Sequence, residues 1–522
     1  MNQQQWKAGL IVALLTAMTG SVALAAAGAT APAKESAQAA PAPAKEPAKA
    51  APAAPAASTH TELFWPEAWK ALHNPTPWLT MGLDHRFRIE AGQNWDTLNG
   101  NSATDDWWYE RYRTRWSTKW VLGDDVSFNT RLVWEFRTYD EPHAQAIAGF
   151  GFEKYDRNTV WDEALFDWFN INVRNIGGMP LTATVGRQDF GFGVGWLILD
   201  GTPLDGSRTI GAFDAARFTY DWANTNTKVD LIYVNRAAES DVFLEPICDK
   251  DRALTEQDEN GAIVYLTNTS FKPTQLEAFF IYKNDNPIDH ATQLSNVAPY
   301  WGTKQEIYTF GAAVSGTPQE HWKYRAEGAV QTGTTHDRSH AAPYAVGEEH
   351  DLKAFGALTN LEYLFKDAHE NAVHVGYEFA SGDNPDSDNN EQFNLLWGEW
   401  PRWSELVIYT YTFETEPSNN TNLHRANIGH RINVNKQWTI STDYHALWAD
   451  QPGQPWKTGA NGINVSNHEK FRGSLITCWA RYKFCDQLYG HFLGEYFTPG
   501  NYYVAPSSDD AWFFRFNVEY IF

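Results

Sequence analysis

Cysteine is scarce: Cys248, Cys478 and Cys485 are the three in 522 residues. Seven residues of strand span about 23 Å. If Cys478 and Cys485 lie along one strand and its turn, they are far beyond disulfide reach. No disulfide framework and no zinc-ligand spacing is indicated. Long apolar runs are also missing. Beyond the first 25 residues no stretch of about 18 apolar residues occurs, so a membrane-embedded chain would have to cross as strands. Positive charge is short: 41 Lys and Arg stand against 64 Asp and Glu, a formal net charge of −23. That balance excludes nucleic acid as a partner. The 16 His form no Ser-His-Asp or metal-ligand pattern, which speaks against an enzyme.

Aromatic residues are abundant, at 15%, although mean hydropathy is only −0.49. Alternation of lipid-facing and water-facing residues reconciles the two, because hydropathy then averages out along each strand. The last residues show the pattern. Trp512, Phe514, Phe516, Val518, Tyr520 and Phe522 share one face, and Arg515, Asn517 and Glu519 share the other. A terminal aromatic on such a strand resembles the C-terminal signature of bacterial outer-membrane barrels. At the other end, a short positive segment (1–7), an apolar run (8–18) and Ala23-Leu24-Ala25 read as a secretory signal peptide over 1–25. Residues 26–58, built of Ala, Pro and Lys-Glu pairs, cannot bury a core and read as a disordered periplasmic linker. Residues 59–77 form a short periplasmic segment with a helix around Pro66–Leu72, which leaves no room for a plug before the first strand.

From residue 78 to 522 the period of two recurs. Asp84, Arg86, Arg88 and Glu90 oppose Met81, Leu83, Phe87 and Ile89. Arg111, Arg113, Arg115, Ser117 and Lys119 oppose Tyr112, Trp116 and Trp120. Asn129, Arg131, Glu135 and Arg137 oppose Phe128, Leu132, Trp134 and Phe136. Further strands are expected near 160–174, 180–190, 212–222, 226–237, 261–271, 274–285, 304–316, 319–333, 351–366, 371–384, 422–434, 437–449, 469–484, 486–498 and 511–522, making about eighteen. Short turns are expected at Gly123–Asp125, Gly177-Gly178, Ala223–Asn226, Lys272-Pro273, Gly316–Pro318, Lys366-Asp367, Asn435-Lys436 and Lys483–Asp486. They alternate with long connections, as periplasmic turns and extracellular loops do. The fold class is therefore all-β, a transmembrane antiparallel up-and-down barrel. Ser404–Thr415 has strand propensity but would make the count odd. It is assigned to a long outer loop, 384–421, that folds into the lumen or caps the mouth. The acidic stretch 238–260 reads as a solvated loop.

Alternation places Arg86, Arg88, Arg111, Arg113, Arg115, Arg131 and Arg137 inside. Barrel closure brings Arg515 beside them. Asp84, Glu90, Glu135 and Glu519 share that wall, and Lys323, Arg325, Glu327, Glu362, Glu378, Arg425 and Arg431 make a mixed wall elsewhere. Two readings stand side by side. One is a ladder of paired charges that braces the wall. The other is an electropositive path for an anion, since the planar guanidinium binds carboxylates bidentately and rings of Arg select anions. His85 and His430 fall on the lipid-facing parity.

Several segments resemble the alginate export family of outer-membrane barrels: Gly186-Arg187-Gln188, Gly206-Ser207-Arg208-Thr209 followed by Phe213–Phe218, Tyr324–Gly333, Ser381–Pro385, Asp443–Trp448, Gly490-His491-Phe492 and Phe497–Gly500. The resemblance covers residues 78–522. It implies an eighteen-stranded barrel whose arginine-rich constriction passes an anionic polysaccharide, and it adds Arg187 and Arg217 to the pore-lining set. Simple alternation puts Arg187 on the side of Val185, so either the chain bulges at Gly186 or Arg187 lies at the rim.

The expected function is an outer-membrane channel for an anionic substrate, a uronic-acid polysaccharide or oligosaccharide such as alginate. The alternative is a general or small-anion porin of the same fold. No cofactor is expected. Asp383, Asp386 and Asp388 are the candidate calcium cluster, and a solvated loop is the simpler account of them. Expected partners are outer-membrane lipid and lipopolysaccharide, the saccharide, and periplasmic export factors that meet the linker.

Overall fold

Period-two alternation is realised as a ring. The computed structural model describes residues 66–95, 97–102, 106–139, 159–200, 213–237, 244, 247, 257–289, 300–301, 304–336, 347–398, 403–406, 421–453 and 463–522. Helix α1 (Pro66–His73) opens the described chain with proline in its first turn, where a missing N–H costs nothing. Eighteen barrel strands follow: β1 Leu79–Gln93, β2 Trp107–Val121, β3 Val126–Tyr139, β4 Thr159–Val173, β5 Leu181–Gln188, β6 Phe213–Trp222, β7 Thr227–Arg236, β8 Gln257–Asn268, β9 Thr274–Asp289, β10 Gln305–Gln319, β11 Trp322–His336, β12 Glu349–Leu364, β13 Ala372–Ala380, β14 Leu423–Asn433, β15 Trp438–Trp448, β16 Phe471–Lys483, β17 Leu488–Pro499 and β18 Ala511–Ile521. Each pairs antiparallel with its neighbours. The ring closes where β1 meets β18, from Asp84 opposite Ile521 to Gln93 opposite Trp512. Closure leaves no free edge, which is what lets strands cross lipid. No helix among the described residues is long and apolar enough to do so. The signal segment 1–25 and the linker 26–58 lie outside the described residues.

The outward face carries the exposed apolar side chains, among them Trp116, Phe169, Val185, Leu231, Phe310, Val330, Phe355, Ile428 and Ile476. At the short-turn end aromatic rings gather at the interface level, with Trp78 stacked on Trp120 at 5.5 Å and Trp438 against Tyr482 at 4.6 Å. The turn after β12 is tied by Asp367, whose Oδ1 accepts the backbone N–H of His369 and Asn371. The turn expected at Gly316–Pro318 falls inside the end of β10. The ladder shifts register between Gly316 and Gln319, and the chain reverses at Glu320-His321. Proline has no N–H for the ladder, so an irregular strand end tolerates it.

One expectation needs correction, and one feature was not foreseen. The acidic stretch 238–260 is not loop throughout: Gln257–Asn260 begin β8, and Glu259 is 6% exposed. The interior of β6–β12 is also not uniformly polar. Ile232, Val234, Ile263, Phe279, Ile281 and Ile307 are buried there with Phe190, Trp196, Leu197 and Trp397. Those four belong to two connections that turn inward, one after β5 and one after β13. They meet through a parallel contact of Ile198 with Trp397, with Leu199 N donating to Trp397 O at 2.6 Å and Trp397 N to Leu197 O at 3.1 Å. The inner loops thus supply the apolar cover that a wet lumen would not. Of the doubtful segment 404–415, residues Ser404–Leu406 are not strand and dock inward. The remainder lies outside the described residues.

Candidate functional site

The charged wall forms on β18, β1, β2, β3 and β4. Strand pairing sets Arg86 opposite Arg113 and Arg88 opposite Arg111, and Arg111 opposite Arg137. Like charges directly opposed would repel. The side chains avoid this by reaching diagonally. Arg113 NH2 lies 3.0 Å from Asp84 and 3.1 Å from Glu519. Glu135 gathers Arg86 and Arg137, each at 3.4 Å, and also Arg111. Arg131 holds Asp167 through two bonds of 2.8 Å and reaches Asp189 at 3.0 Å. Its guanidinium also sits 3.9 Å from the centre of the Trp168 ring. Arg115 lies within 3.8 Å of Asp84 and 3.7 Å of Asp167. Arg515 joins Glu90 at 2.5 Å and Glu405, from the inward loop, at 2.8 Å. Arg88 donates to Asn517 at 2.7 Å. Eight guanidinia are therefore interleaved with seven carboxylates: Asp84, Glu90, Glu135, Asp167, Asp189, Glu405 and Glu519. Asp167, Asp189 and Glu405 were not anticipated. Asp167 faces inward through a register shift in the β3–β4 ladder, and Glu405 arrives on a loop with no period to read.

The other candidates stand apart from this wall. Arg217 on β6 pairs with Asp230 at 2.8 Å and keeps 27% of its side chain exposed. Arg325 on β11 is shared by Glu277 at 2.6 Å and Glu327 at 2.7 Å. Arg425 on β14 bonds Glu378 at 2.8 Å and His445 at 3.1 Å. Arg187 lies opposite Phe169 on β4 and Asp214 on β6. It therefore keeps the parity of Val185, and it pairs with Asp214 at 2.8 Å. Gly186 has φ +117°, but the flanking ladders keep their register. Arg187 is nonetheless buried at 5% exposure where Val185 is 46% exposed, so parity alone does not put its side chain on the outer face.

A further polar centre was not legible. Glu259 binds Arg236 at 3.1 Å and Lys283 at 3.2 Å, and accepts the Trp397 indole N–H at 2.9 Å. Period-two parity from Ile263 back to Glu259 was the available signal; reading the stretch as loop hid it. On β13–β15, His374 Nε2 meets Asp443 Oδ1 at 2.6 Å, and Asn427 donates to the same oxygen at 3.3 Å. Gly429 of the intervening strand lies directly beneath the pair.

Among the described residues no group of three or more His, Cys, Asp or Glu is arranged to hold a metal ion. Asp383 instead accepts the backbone N–H of Glu391 at 3.1 Å, and the N–H of Asp386 is taken by Asn384. Cys478 and Cys485 are free thiols; Cys248 lies outside the described residues.

A closed ring with an apolar, aromatic-rimmed exterior and a charged interior is a porin-like channel of the outer membrane. The family model described as Alginate export matches residues 77–511, and the chain belongs to that family. Acinetobacter baumannii OccAB1 superposes with a TM-score of 0.52 at 11% identity, covering 85% of this chain and 96% of that one. Acinetobacter baumannii OccAB2 and Pseudomonas aeruginosa OccK9 (OpdG) each give 0.51 at 8% identity, over 85% of this chain and 98% of theirs. At these identities the likeness is one of fold alone. No curated protein matches the chain.

Proposed function

We propose that this outer-membrane channel passes an anionic solute, with a uronic-acid polysaccharide or oligosaccharide such as alginate as the substrate class. The observation that carries the reading is the run of eight arginines on the inner parity of adjacent strands β18, β1, β2 and β3. A polyuronate presents a carboxylate on every sugar, and guanidinium forks match carboxylates bidentately. Each fork on this wall is already shared with fixed carboxylates. Arg86, Arg88, Arg113, Arg115 and Arg515 are at most 2% exposed, so the forks of this run that a solute would meet are Arg111, Arg131 and Arg137, where a passing carboxylate competes with the fixed partner and each contact is weak. Arg217 of β6, with its guanidinium part-exposed, is the candidate first contact beside this wall.

The near balance of guanidinia and carboxylates favours a second reading, a general or small-anion porin whose ladder chiefly braces the wall. Residues 1–25 would direct export, and the 26–58 linker would meet periplasmic factors. Lipopolysaccharide and phospholipid would contact the aromatic exterior.

The deciding experiment is single-channel conductance of the refolded barrel in a salt gradient, with and without oligo-alginate. Anion selectivity with block by the oligomer supports a polyuronate path. Anion selectivity without block assigns the barrel to small anions. Cation selectivity without block removes both anionic readings.

A further inference from the structure

Where the ladder between β4 and β5 gives out, the wall is finished by side chains. β5 pairs with β4 from Ala183 opposite Val173 to Arg187 opposite Phe169. Beyond that point β5 leaves the wall. Asp189 reaches Arg131, and Phe190-Gly191 pair with Leu199-Asp200 in the inward connection. β4 continues upward, and among the described residues Thr159–Trp168 have ladder partners on β3 alone. The β3–β4 ladder skips Asp167 at the same height. From Leu181 to Arg187 is about 20 Å along a tilted strand. The fork therefore lies within the apolar band of about 25 Å that such barrels present to lipid. Backbone groups left open there would meet hydrocarbon, which cannot satisfy them.

Gly186-Arg187-Gln188 stitches the fork. Gly186, at φ +117°, lets β4 come close: a Cβ there would lie 2.3 Å from the Phe169 carbonyl oxygen. Asn170 of β4 donates to the Arg187 carbonyl at 2.9 Å. The Arg187 guanidinium reaches both ways. Its Nη1 donates to the Phe166 carbonyl, on the unladdered stretch of β4, at 3.2 Å. Its Nε and Nη2 grip Asp214 of β6 at 2.8 and 3.0 Å. Gln188 donates to the Ala215 carbonyl of β6 at 3.1 Å. Further up β4, the Ala164 carbonyl accepts the Ile247 N–H at 2.7 Å. Alternate carbonyls of β4 are thus capped, one by a guanidinium and one by a later connection.

We propose that Arg187 is a positioning residue of the barrel wall, a lock that keeps the fork between β4 and β6 shut against outer-leaflet lipid, and not a contact for the solute. A planar guanidinium suits this place, because its fixed fan of donors spans a carboxylate and a carbonyl at once. The burial of Arg187 on the parity of exposed Val185 follows, since its polar head is satisfied within the wall. The inference does not depend on the anionic reading.

The test is hydrogen exchange read by mass spectrometry on the refolded barrel in lipid nanodiscs, with the reversal potential in a salt gradient as a second readout. In the wild type, peptides over Phe169–Val173 and β5 should exchange as slowly as those over β11 and β12. Slow exchange there supports the lock even if no variant folds; fast exchange overturns it. Arg187→Gln, and more mildly Asp214→Asn, should speed exchange at the fork by roughly tenfold, as the loss of a charge-assisted bond does. β11 and β12 should stay protected, the reversal potential should hold, and the barrel should keep its heat-modifiable electrophoretic shift. Exchange that rises evenly over all strands would make Arg187 a general stabiliser. A reversal potential shifted towards cations would return it to the substrate path. Either result overturns the proposal.

Discussion

Arg86 and Arg113 face each other in register across β1 and β2, yet neither spends its charge on the other. Arg86 reaches Glu135, on β3, and Arg113 reaches Asp84 and Glu519, on β1 and β18. Opposed like charges cost about 0.2–1 kcal/mol on a sheet. Here the acids one diagonal step away offset that cost and tie four strands across the closing seam. The bracing of this wall is thus built from the same guanidinia that the proposed anion path invokes.

The buried part of the ladder governs stability. Arg113→Met leaves Asp84 and Glu519 without their shared cation and is expected to destabilise the folded barrel by about 3–5 kcal/mol. Thermal unfolding followed by the heat-modifiable shift reads this directly. A variant that melts with the wild type would show the ladder to be energetically idle.

Selectivity is expected to follow the part-exposed cation. Arg217→Gln should shift the reversal potential in a salt gradient towards cations, and because it leaves the buried Asp230 carboxylate without its cation it should also cost about 1–3 kcal/mol of stability. An unchanged reversal potential would remove Arg217 from the substrate path.

His374 and Asp443 come from strands two apart, about 9.5 Å between backbones, and their side chains meet at 2.6 Å over Gly429. A side chain at 429 would stand between them. Gly429→Val should cost about 1–3 kcal/mol through overpacking, whereas the isolated change His374→Gln should cost less. Comparative melting of the two variants checks the order; equal or reversed losses would exclude the glycine as the determinant.

In the loop after β13, burial, followed by the nearby Glu391, raises the Asp383 carboxyl above its ordinary value of 3.8. A folded-state value above the unfolded one means that the contribution to stability is present below that ordinary value and is lost as pH rises through the raised value. Wild-type thermal stability should therefore decline over that window, and Asp383→Asn should flatten the decline. A decline of equal size in the variant would assign it to other groups.

Much of the barrel was legible because each strand carries its own local record. Arg515, Asn517 and Glu519 against Phe514, Phe516 and Val518 state which side is wet without reference to any other strand. Alternating short and long connections then give the count. Legibility ended where that local record ended. Ile263 and Ile281 sit inside beneath loop aromatics, so both faces of those strands are apolar and alternation carries no sign. Arg187 shares the parity of Val185 in the ladder yet is buried, and its partner Asp214 is found only through the β5–β6 register.

By itself the sequence determined most strands, the inward and outward faces of those that alternate, and the arginines that share a wall, because a period of two is enforced residue by residue by the pleat. Only the tertiary structure decided which acid each arginine holds, since diagonal reach across strands depends on register. It alone decided that two loops nearly 200 residues apart in sequence join inside the ring, because a socket such as Gly261 has meaning only once Trp397 lies above it.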